Sequence, residues 1–477
     1  MSSIWTPQPR QRVFQSRMED EALYGGAAGG GKSDALLTEA LRQVRKSNYR
    51  AIILRKTYPQ LSELIDRSRE LYTVAFPKAK YNESKHVWTF PSGAKIYFGA
   101  MQHTADRINY QGKRYDFIAF DELTHFSWDE YSYMMSRNRP SGPGTRVYMR
   151  STTNPGGVGH GWVKERFITA SEPGKTIWEK REVYTPEGDK LTKMMSRIFI
   201  PSSVFDNQKL LENDPDYIYR LDALPEKEKK ALLYGDWDSF SGQVFTEWRD
   251  VPERYDDRVG THVISPFEIP STWRVWRSFD WGYKKPFSVG WYAVDHDNRL
   301  YRIREYYGCN GTPDVGIEMN AKELARNIKE IESTDINLKG KKIRGVCDPA
   351  VFQEDGGEST GRIMERCGVF WDKADNSRIS GKMQVHYRMA FDGENKPMLY
   401  VFSSCKHFVR TIPNLVYSET QVEDVNTKQE DHIYDELRYI CMQNPINPPI
   451  KKKEAPKGFD PLDDTELKPY SFGLQYL

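Results

Sequence analysis

The most constraining feature of this chain is a glycine-rich stretch near its start. Residues 24–35 read YGGAAGGGKSDA, in which Gly26, Gly31, Lys32 and Ser33 match G-x-x-x-x-G-K-[ST] at every fixed position. This pattern wraps backbone N–H groups around the phosphates of a nucleotide. We expect Lys32 to reach the β- and γ-phosphates and Ser33 to hold Mg²⁺. A flexible glycine loop is the alternative, but it would not require the lysine and the hydroxyl that follow.

The sequence on either side of this stretch fits a phosphate-binding loop. Residues 21–24, EALY, predict a short strand. Residues 33–46, SDALLTEALRQVRK, place apolar residues at helical spacing and predict a helix. The phosphates would therefore lie at a helix N-terminus, where the backbone N–H groups favour an anion.

A second motif supplies the acidic side chains that such a loop needs. Residues 115–123 read YDFIAFDEL, and the run FIAF predicts a buried strand that ends at Asp121 and Glu122. We expect Asp121 to orient Mg²⁺ and Glu122 to activate the attacking water as a general base. An acidic pair after an apolar strand is common by chance. At this distance after a phosphate-binding loop it favours ATP hydrolysis by a motor.

Polar side chains follow the next predicted strand. Residues 147–157 read VYMRSTTNPGG, so that residues 151–154 stand between a strand and a Pro-Gly-Gly turn. Such side chains can sense the γ-phosphate and pass its loss to a moving part, although an ordinary polar turn has the same composition. Upstream, the amide of Gln11 is a candidate for reading the adenine edge, with Phe14 packed nearby.

Aspartates recur in the second half of the chain within apolar surroundings. RSFDWG predicts a strand with Asp280 in its middle, and GVCDPA predicts a strand that ends at Asp348. A charged residue in a buried strand is costly unless it is paired or binds a metal. DHIYDELRY places Asp431 and Asp435 at i and i+4 on one helix face. Each aspartate alone could equally be a surface or ion-paired residue.

Taken together and in this order, these aspartates form the carboxylate set of a two-metal phosphodiesterase. Ligands that are all oxygen favour Mg²⁺ or Mn²⁺. His432 lies between the helix carboxylates, and two interpretations stay open: a histidine on the helix surface, or one at the edge of the metal site that transfers protons.

Composition bounds the class of protein. A chain of 477 residues is expected to form two or three domains. It has 69 Lys and Arg against 67 Asp and Glu, a net charge of +2, so that a basic groove for nucleic acid would have to be local. The five scattered cysteines form no C-x-x-C pair, which argues against a disulfide framework and fits a reducing cytosol. No signal peptide or long apolar run indicates a membrane span.

Changes in pattern predict the domain boundaries. We expect an ATPase domain over residues 1–235, with a helical lid over about residues 160–235. A hinge follows at residues 236–255, where GDWDSFSGQVFTEW contains Gly and Ser between two patterned regions. The second domain is expected over residues 256–448, and a Pro-rich, charged tail over residues 449–477 is expected to be flexible.

The chain resembles the large terminase subunit of tailed bacteriophages, the DNA-packaging motor. The resemblance covers nearly the whole length, with the motifs in the same order: PRQRVF, YGGAAGGGKSDALL, FIAFDEL, STTNPGG, GDWDSFSGQVFTEW, RSFDWG, GVCDPA and DHIYDELRY. It implies an α/β chain whose N-terminal domain is a P-loop ATPase of the ASCE type. A doubly wound parallel sheet there also agrees with the alternation of strands and helices. The resemblance further implies a C-terminal nuclease with an RNase H-like mixed α/β fold.

The resemblance also implies roles for single residues. Asn154 and its two threonine neighbours resemble the coupling motif. ATP with Mg²⁺ or Mn²⁺ is implied at the first site and two Mg²⁺ or Mn²⁺ at the second. The implied nucleotide-binding residues are Gln11, Gly26, Gly29, Gly31, Lys32, Ser33, Asp121 and Asn154. The implied catalytic residues are Glu122, Asp280, Asp348 and Asp435, and the metal ligands are Ser33, Asp121, Asp280, Asp348, Asp431 and Asp435.

One position departs from the family pattern. Many members carry an arginine inside the P-loop where this chain has Ala28. The arginine that stabilises the γ-phosphate must then lie elsewhere in the chain or come from a neighbouring subunit. The sequence offers five candidates and does not choose among them: Arg55, Arg107, Arg114, Arg137 and Arg139.

The resemblance implies partners and a location. It implies a protein that moves double-stranded DNA into a procapsid, cuts concatemeric genomes and works with a portal protein and a small terminase subunit. It also implies a homo-oligomeric ring during packaging, expected to be a pentamer. A monomer is one possible state of the isolated protein in solution. The ring would work in the host cytoplasm, docked transiently on the procapsid without staying in the virion. Two alternatives are a cellular helicase-nuclease of DNA repair, and a DNA-binding scaffold with decayed sites. The intact Lys32, Glu122 and aspartate set argue against the scaffold.

Overall fold

The computed structural model describes residues 5–447 apart from residues 239, 241, 355–356, 419–420 and 422. The expected tail at residues 449–477 lies outside the described residues. The described part contains a nine-stranded sheet in its N-terminal half and a seven-stranded sheet in its C-terminal half. The sequence-based prediction of two α/β domains agrees with this division.

The N-terminal sheet has the strand order β3-β4-β5-β2-β6-β7-β1-β9-β8. The six strands from β5 to β9 in this order pair in parallel, and β3, β4 and β8 join the edges antiparallel. Its strands are β1 (Glu21–Gly26), β2 (Arg50–Arg55), β3 (Lys80–Asn82), β4 (Val87–Thr89), β5 (Lys95–Ala100), β6 (Phe117–Phe120), β7 (Tyr148–Thr153), β8 (Ile177–Tyr184) and β9 (Lys190–Ser202).

Helices cover both faces of the parallel strands, as predicted for a doubly wound sheet. Along β2, Ile53 belongs to the apolar core under α2 and α3, whereas the next residue, Leu54, belongs to the core under α4 and α5. This alternation follows from the period of two in a strand. The helices are α1 (Pro9–Gln15), α2 (Lys32–Ala40), α3 (Tyr58–Ala75), α4 (Trp128–Met135), α5 (His160–Val163), α6 (Gln208–Asn213), α7 (Tyr217–Asp222) and α8 (Glu226–Leu233).

The stretch expected to be a helical lid is helical only in part. Helices α6 to α8 lie within it or at its edge, but residues 177–202 form the β8–β9 hairpin instead. The inner half of β9 is apolar, with Ile198 and Ile200 buried, and it pairs in parallel with β1. The exposed side chains of the hairpin include Trp178 near its base and Tyr184 beside its turn.

The C-terminal sheet is mixed, with the order β10-β16-β13-β12-β11-β14-β15. The strands β11, β12 and β13 pair antiparallel, and β14 pairs in parallel with β11. The strands are β10 (Val263–Ile264), β11 (Arg274–Asp280), β12 (Ser288–Val294), β13 (Leu300–Tyr307), β14 (Ile343–Cys347), β15 (Asp372–Lys373) and β16 (Leu399–Phe402). This is the mixed α/β arrangement that the resemblance implies.

Five helices accompany this sheet: α9 (Ala321–Thr334), α10 (Thr360–Arg366), α11 (Arg378–Met389), α12 (Lys406–Thr411) and α13 (His432–Gln443). Helix α13 packs across β11, β12 and β14 and against α11. Its buried residues include Ile433, Leu437 and Ile440, which recur at helical spacing. The packing brings one polar edge of α13 to the ends of β11 and β14.

The chain passes from one apolar core to the other within the stretch expected to be a hinge. Trp237 packs in the N-terminal core, and Val244 and Phe245 pack in the C-terminal core. All five cysteines are unpaired, in line with the expectation of no disulfide framework. Among the described helices, none combines the length and the apolar character needed to cross a membrane.

Candidate functional site

The glycine-rich stretch forms a tight loop between β1 and α2. Gly31 has φ +68° and caps the N-terminus of α2 in the left-handed conformation, which glycine adopts at no steric cost. Gly25, with φ +147°, lies so close to β7 that a Cβ atom would stand 2.1 Å from the carbonyl oxygen of Thr153. The first turn of α2 therefore presents its free N–H groups at the loop, as a phosphate site requires.

Lys32 is buried in this loop with its ammonium group facing the acidic residues. Its Nζ donates hydrogen bonds to the carbonyl oxygen of Ala27 and, over 2.7 Å, to Oδ1 of Asn154. Burial lowers the pKa of Lys32, and the nearby carboxylates of Glu122 and Asp121 oppose that shift.

Asp121 and Glu122 follow β6 directly, as the sequence predicts. Asp121 is 1% exposed and accepts a hydrogen bond from Oγ1 of Thr152. Glu122 has φ +58°, a left-handed conformation that costs a non-glycine residue of order 1–3 kcal/mol. This backbone geometry turns the Glu122 side chain toward Asn154, whose N–H and amide Nδ2 donate to its two carboxylate oxygens over 3.2 and 3.4 Å.

The polar residues at the end of β7 each contact a different part of the site. Thr152 binds Asp121, and Asn154 joins Lys32 to Glu122. The hydroxyl of Thr153 lies 2.9 Å from that of Thr124, in the turn after Glu122. Residues 151–153 belong to the strand itself rather than to a turn after it.

Of the five candidate arginines, Arg55 is the one whose described contacts reach this site. Its Nε donates to Oδ2 of Asp121 over 2.7 Å. Arg107 faces Asp129 at 3.9 Å, Arg137 stacks on a tyrosine ring, and Arg139 donates to the Gly112 carbonyl, all away from Asp121. The cleft beside Arg55 has a volume of about 580 Å³, and Ser33 lines it.

Two side chains brace the loop from outside. Nε2 of Gln11 donates to the Gly31 carbonyl over 2.7 Å, and its Oε1 accepts the N–H of Gln8. The amide of Asn207, which caps α6, donates to the Gly29 carbonyl over 2.7 Å. The Gln11 amide predicted to read adenine is thus bonded on both sides to the protein.

The structure brings Asp280 and Asp348 together beneath α13. Asp280 is the last residue of β11 rather than its middle, and Asp348 follows β14 directly. The hydroxyl of Tyr439 lies 3.3 Å from Oδ1 of Asp280 and 3.0 Å from Oδ2 of Asp348. Burial raises the pKa of Asp280, and the neighbouring Asp435 and Asp348 raise it further against the opposing effect of His432.

His432 is not a surface residue. Its Nδ1 lies 3.1 Å from Oδ2 of Asp280, and its Nε2 lies 3.2 Å from Oδ1 of Asp314. Burial disfavours the charged imidazole, but the hydrogen bonds to both aspartates outweigh it and raise the pKa of His432 well above its ordinary value. Lys285 pairs with Asp314 on the outer side.

The helix carboxylates differ in their surroundings. Asp435 accepts hydrogen bonds from Arg378 over 3.2 Å and from Arg438 over 3.0 Å. Asp431 is 5% exposed, and its Oδ2 has no hydrogen-bond partner among the described residues, although Arg378 stands 3.9 Å away. Burial, followed by the charge of Asp435, raises the pKa of Asp431 to about 8.

The chemistry of this donor set fits a divalent cation. A buried carboxylate oxygen without a partner and a cluster of mutually repelling carboxylates are both stabilised by Mg²⁺ or Mn²⁺. Within the described ranges, no three His, Cys, Asp or Glu side chains stand in a geometry that already holds a metal ion. Two arginines neutralise Asp435, so their contacts would have to adjust before Asp435 could bind a cation.

Sequence reasoning missed several residues of both sites. Tyr439 could have been found, because it lies four positions after Asp435 and so on the same helix face. Asp314 lies in a loop, and Arg378 begins another helix. Nothing in their local sequence indicates that the fold carries them to the aspartates.

A family model matches the N-terminal half of the chain. The model describes the N-terminal part of the T4-like virus type of terminase large subunit, and residues 23–248 match it. These residues include β1 to β9 apart from the first two residues of β1, and therefore both Lys32 and Glu122. The match favours DNA packaging over the repair helicase-nuclease alternative.

The solved structures that the chain is similar to are distant in sequence. The large terminase of bacteriophage HK97 is 9% identical, over 92% of this chain and 95% of its own, with a TM-score of 0.47. The large terminase of a thermophilic bacteriophage, in complex with ADP, is 17% identical, over 91% and 98%, with a TM-score of 0.37. The nuclease domain of the P22 large terminase is 21% identical, over 43% and 92%, with a TM-score of 0.32. None of the curated proteins compared with the chain matches it.

Proposed function

We propose that the chain, whose residues 23–248 match the family model of the terminase large subunit, is the motor and nuclease of viral genome packaging. It hydrolyses ATP to move double-stranded DNA into a procapsid, and it cuts concatemeric DNA with a metal-dependent nuclease. The two activities reside in the two sheets described above.

The observation that carries the ATPase proposal is the amide of Asn154. It accepts a hydrogen bond from Lys32 of the P-loop and donates one to Glu122 after β6. A γ-phosphate that attracts Lys32 would break the hydrogen bond between Lys32 and the Asn154 amide. That bond would form again when the phosphate leaves. This response couples the nucleotide state to the segment that follows β7.

The side chains of the first site take the following roles. Lys32 and the N–H groups at the start of α2 bind the phosphates, and Ser33 and Asp121 hold the cation. Glu122 accepts the proton of the attacking water. Mg²⁺, when bound, offsets the charge of the phosphates. Gln11 holds the P-loop through Gly31 and exchanges that bond for the adenine edge when ATP enters.

Arg55 is the arginine of this site. Its guanidinium forms an ion pair with Asp121. A cation held by Asp121 would weaken that ion pair and would leave Arg55 available to phosphates in the cleft that Ser33 and Arg55 line. An arginine that stabilises developing phosphate charge is what the P-loop of this chain lacks at Ala28.

The second site acts on the phosphodiester. Asp280, Asp348 and Asp435 hold two Mg²⁺ or Mn²⁺, with Asp431 as an additional ligand. Such cations stabilise the attacking and leaving oxygens of the displacement. His432 fixes the Asp280 carboxylate through Oδ2, and Asp314 holds the other ring nitrogen of His432.

We further propose that the chain assembles as a homo-oligomeric ring, with a pentamer expected, on the portal protein of the procapsid. A small terminase subunit delivers the DNA. The ring acts in the cytoplasm of the host cell and leaves the capsid after packaging.

Replacing the proposed base tests the ATPase assignment. Glu122→Gln keeps the hydrogen-bonding capacity of the side chain but removes its basicity. ATP binding, measured with a fluorescent analogue, should persist, because Lys32 and the loop backbone remain. Hydrolysis should fall by about 100-fold or more. Glu187→Gln, in the exposed turn of the β8–β9 hairpin, is the matched control and should hydrolyse ATP like the wild type. Wild-type hydrolysis by Glu122→Gln would remove Glu122 from the mechanism.

A further inference from the structure

One phenol hydroxyl bridges two of the carboxylates at the second site. Oη of Tyr439 lies 3.0 Å from Oδ2 of Asp348 and 3.3 Å from Oδ1 of Asp280. These aspartates come from different strands, so the contact joins the end of β11 to the end of β14 through α13. The hydroxyl has one proton, which the two oxygens share, with the shorter contact at Asp348. Without it, the two carboxylate oxygens would face each other as like charges.

The position of this hydroxyl is fixed by its surroundings. Tyr439 is 1% exposed and belongs to the third turn of α13, which packs across β11, β12 and β14. The guanidinium of Arg438 stands 4.8 Å from the centre of its ring. A side chain held in this way does not follow the carboxylates if they rotate, and it therefore acts as a fixed reference for them.

The remaining oxygen of each carboxylate is also held. Oδ2 of Asp280 faces His432, and Oδ1 of Asp348 accepts the N–H of Ala350 over 2.9 Å. Both carboxylates are thus restrained at both ends. Since each carboxylate oxygen offers about two acceptor positions, one hydrogen bond from Tyr439 leaves the other position free for a cation.

We propose that Tyr439 is a positioning residue of the metal site, whose hydroxyl sets the orientation and separation of Asp280 and Asp348 before a cation binds. This inference rests on the proposed nuclease function. Partners that orient metal ligands contribute to affinity because the ligands then need less reorganisation on binding; their loss typically costs about 10-fold to 100-fold in affinity or activity.

The same helix supplies a matched control. Tyr434 also lies on α13 and is fully buried, but its hydroxyl has no hydrogen-bond partner among the described residues. Tyr439→Phe and Tyr434→Phe therefore remove the same atom from the same helix. Only the first substitution removes a contact to the aspartates.

The test is a Mn²⁺ titration of the full chain without DNA, read as the rise in unfolding temperature. Tyr434→Phe should reach half of the full rise at the same Mn²⁺ concentration as the wild type. Tyr439→Phe should require about 10-fold more Mn²⁺ or higher. Cleavage of plasmid DNA by Tyr439→Phe should show the same shift and recover at high Mn²⁺. Equal half-saturation for the two variants would overturn the inference.

Two further proteins separate this inference from the function beneath it. Asp348→Ala should lose the Mn²⁺ response altogether, and a wild-type chain without any response to Mn²⁺ would refute the proposed nuclease site itself. Tyr439→His retains a ring with an N–H donor. Tyr439→His should recover part of the lost Mn²⁺ affinity, and it serves as the test if Tyr439→Phe does not fold. If Tyr439→His responds to Mn²⁺ no better than Asp348→Ala, positioning by a hydrogen-bond donor is contradicted.

Discussion

Arg55 illustrates how a single contact narrows a choice that the sequence leaves open. Five arginines are equally placed in the sequence to serve the γ-phosphate. In the structure, Nε and Nη2 of Arg55 both lie 2.7 Å from Oδ2 of Asp121, a residue that is itself 1% exposed. The hydrogen bond from Nε joins two charged groups, and such charge-assisted bonds are stronger than neutral ones. Arg55 therefore contacts the carboxylate that is proposed to hold the cation of the nucleotide.

Arg55→Ala tests this assignment. Removing the guanidinium should lower kcat for ATP hydrolysis by about 100-fold or more, as for other preorganised charge-stabilising groups. ATP affinity should change little, because Lys32 and the loop backbone are intact. The kcat of Arg55→Lys should lie between those of the wild type and Arg55→Ala, because lysine keeps the positive charge but lacks the planar guanidinium. Arg139→Ala is the control, and a steady-state assay showing equal loss in both variants, or no loss in Arg55→Ala, would contradict the role.

At the scale of an element, the short helix α5 links the segment after β7 to the stretch where the chain leaves the N-terminal core. His160 begins α5 and is fully buried. Its Nδ1 accepts the N–H of Gly156 over 2.9 Å, and its Nε2 lies 3.1 Å from the Trp237 carbonyl. Its ring stacks on Trp237 and Phe240, in the stretch where the chain leaves the N-terminal core. Nδ1 can accept the Gly156 N–H only in the neutral imidazole, and the ring is buried, so protonation is costly here.

This environment predicts a dependence of stability on pH. Burial lowers the pKa of His160 from 6.5 to about 3. Below pH 6.5 the unfolded chain gains a proton that the folded chain does not accept. Stability is therefore lost as pH falls from 6.5 toward 3, by about 2 kcal/mol at pH 5 for this residue. The free energy of unfolding of His160→Gln should fall less between pH 7.5 and 5 than that of the wild type. His296→Gln, at an exposed position, should keep the wild-type slope, and parallel slopes in all three proteins would refute the account.

Elements with a clear period or a clear boundary could be predicted, and those decided by distant contacts could not. FIAF is four apolar residues followed by two acids, and β6 covers Phe117–Phe120 as expected. The predicted helix after the P-loop ends early, because α2 stops at Ala40 and continues as a 3₁₀ turn. Asp435, predicted as a metal ligand, accepts a hydrogen bond from Arg378, which lies on α11 far away in the sequence. No local pattern reports such a contact.

For the whole molecule, the arrangement of two cores determines how far the activities are independent. The P-loop and Glu122 rest on the N-terminal sheet, and the aspartates rest on the C-terminal sheet. Ion pairs at the surface link the two halves: Arg410 lies 3.2 Å from Glu165, and Lys285 lies 3.9 Å from Asp129. Because each site rests on its own sheet, a single substitution deep in one site should leave the fold and chemistry of the other intact.

The most direct test of two catalytic sites in one chain is to measure Mn²⁺-dependent plasmid cleavage and ATP hydrolysis on the same preparations of wild type, Glu122→Gln and Asp348→Ala. Glu122→Gln should lose hydrolysis and keep cleavage. Asp348→Ala should lose cleavage and keep hydrolysis, because removing one carboxylate disables the cation site without touching the P-loop. Cleavage that survives in Asp348→Ala, or in wild type with EDTA, would contradict the proposed nuclease and with it the central claim.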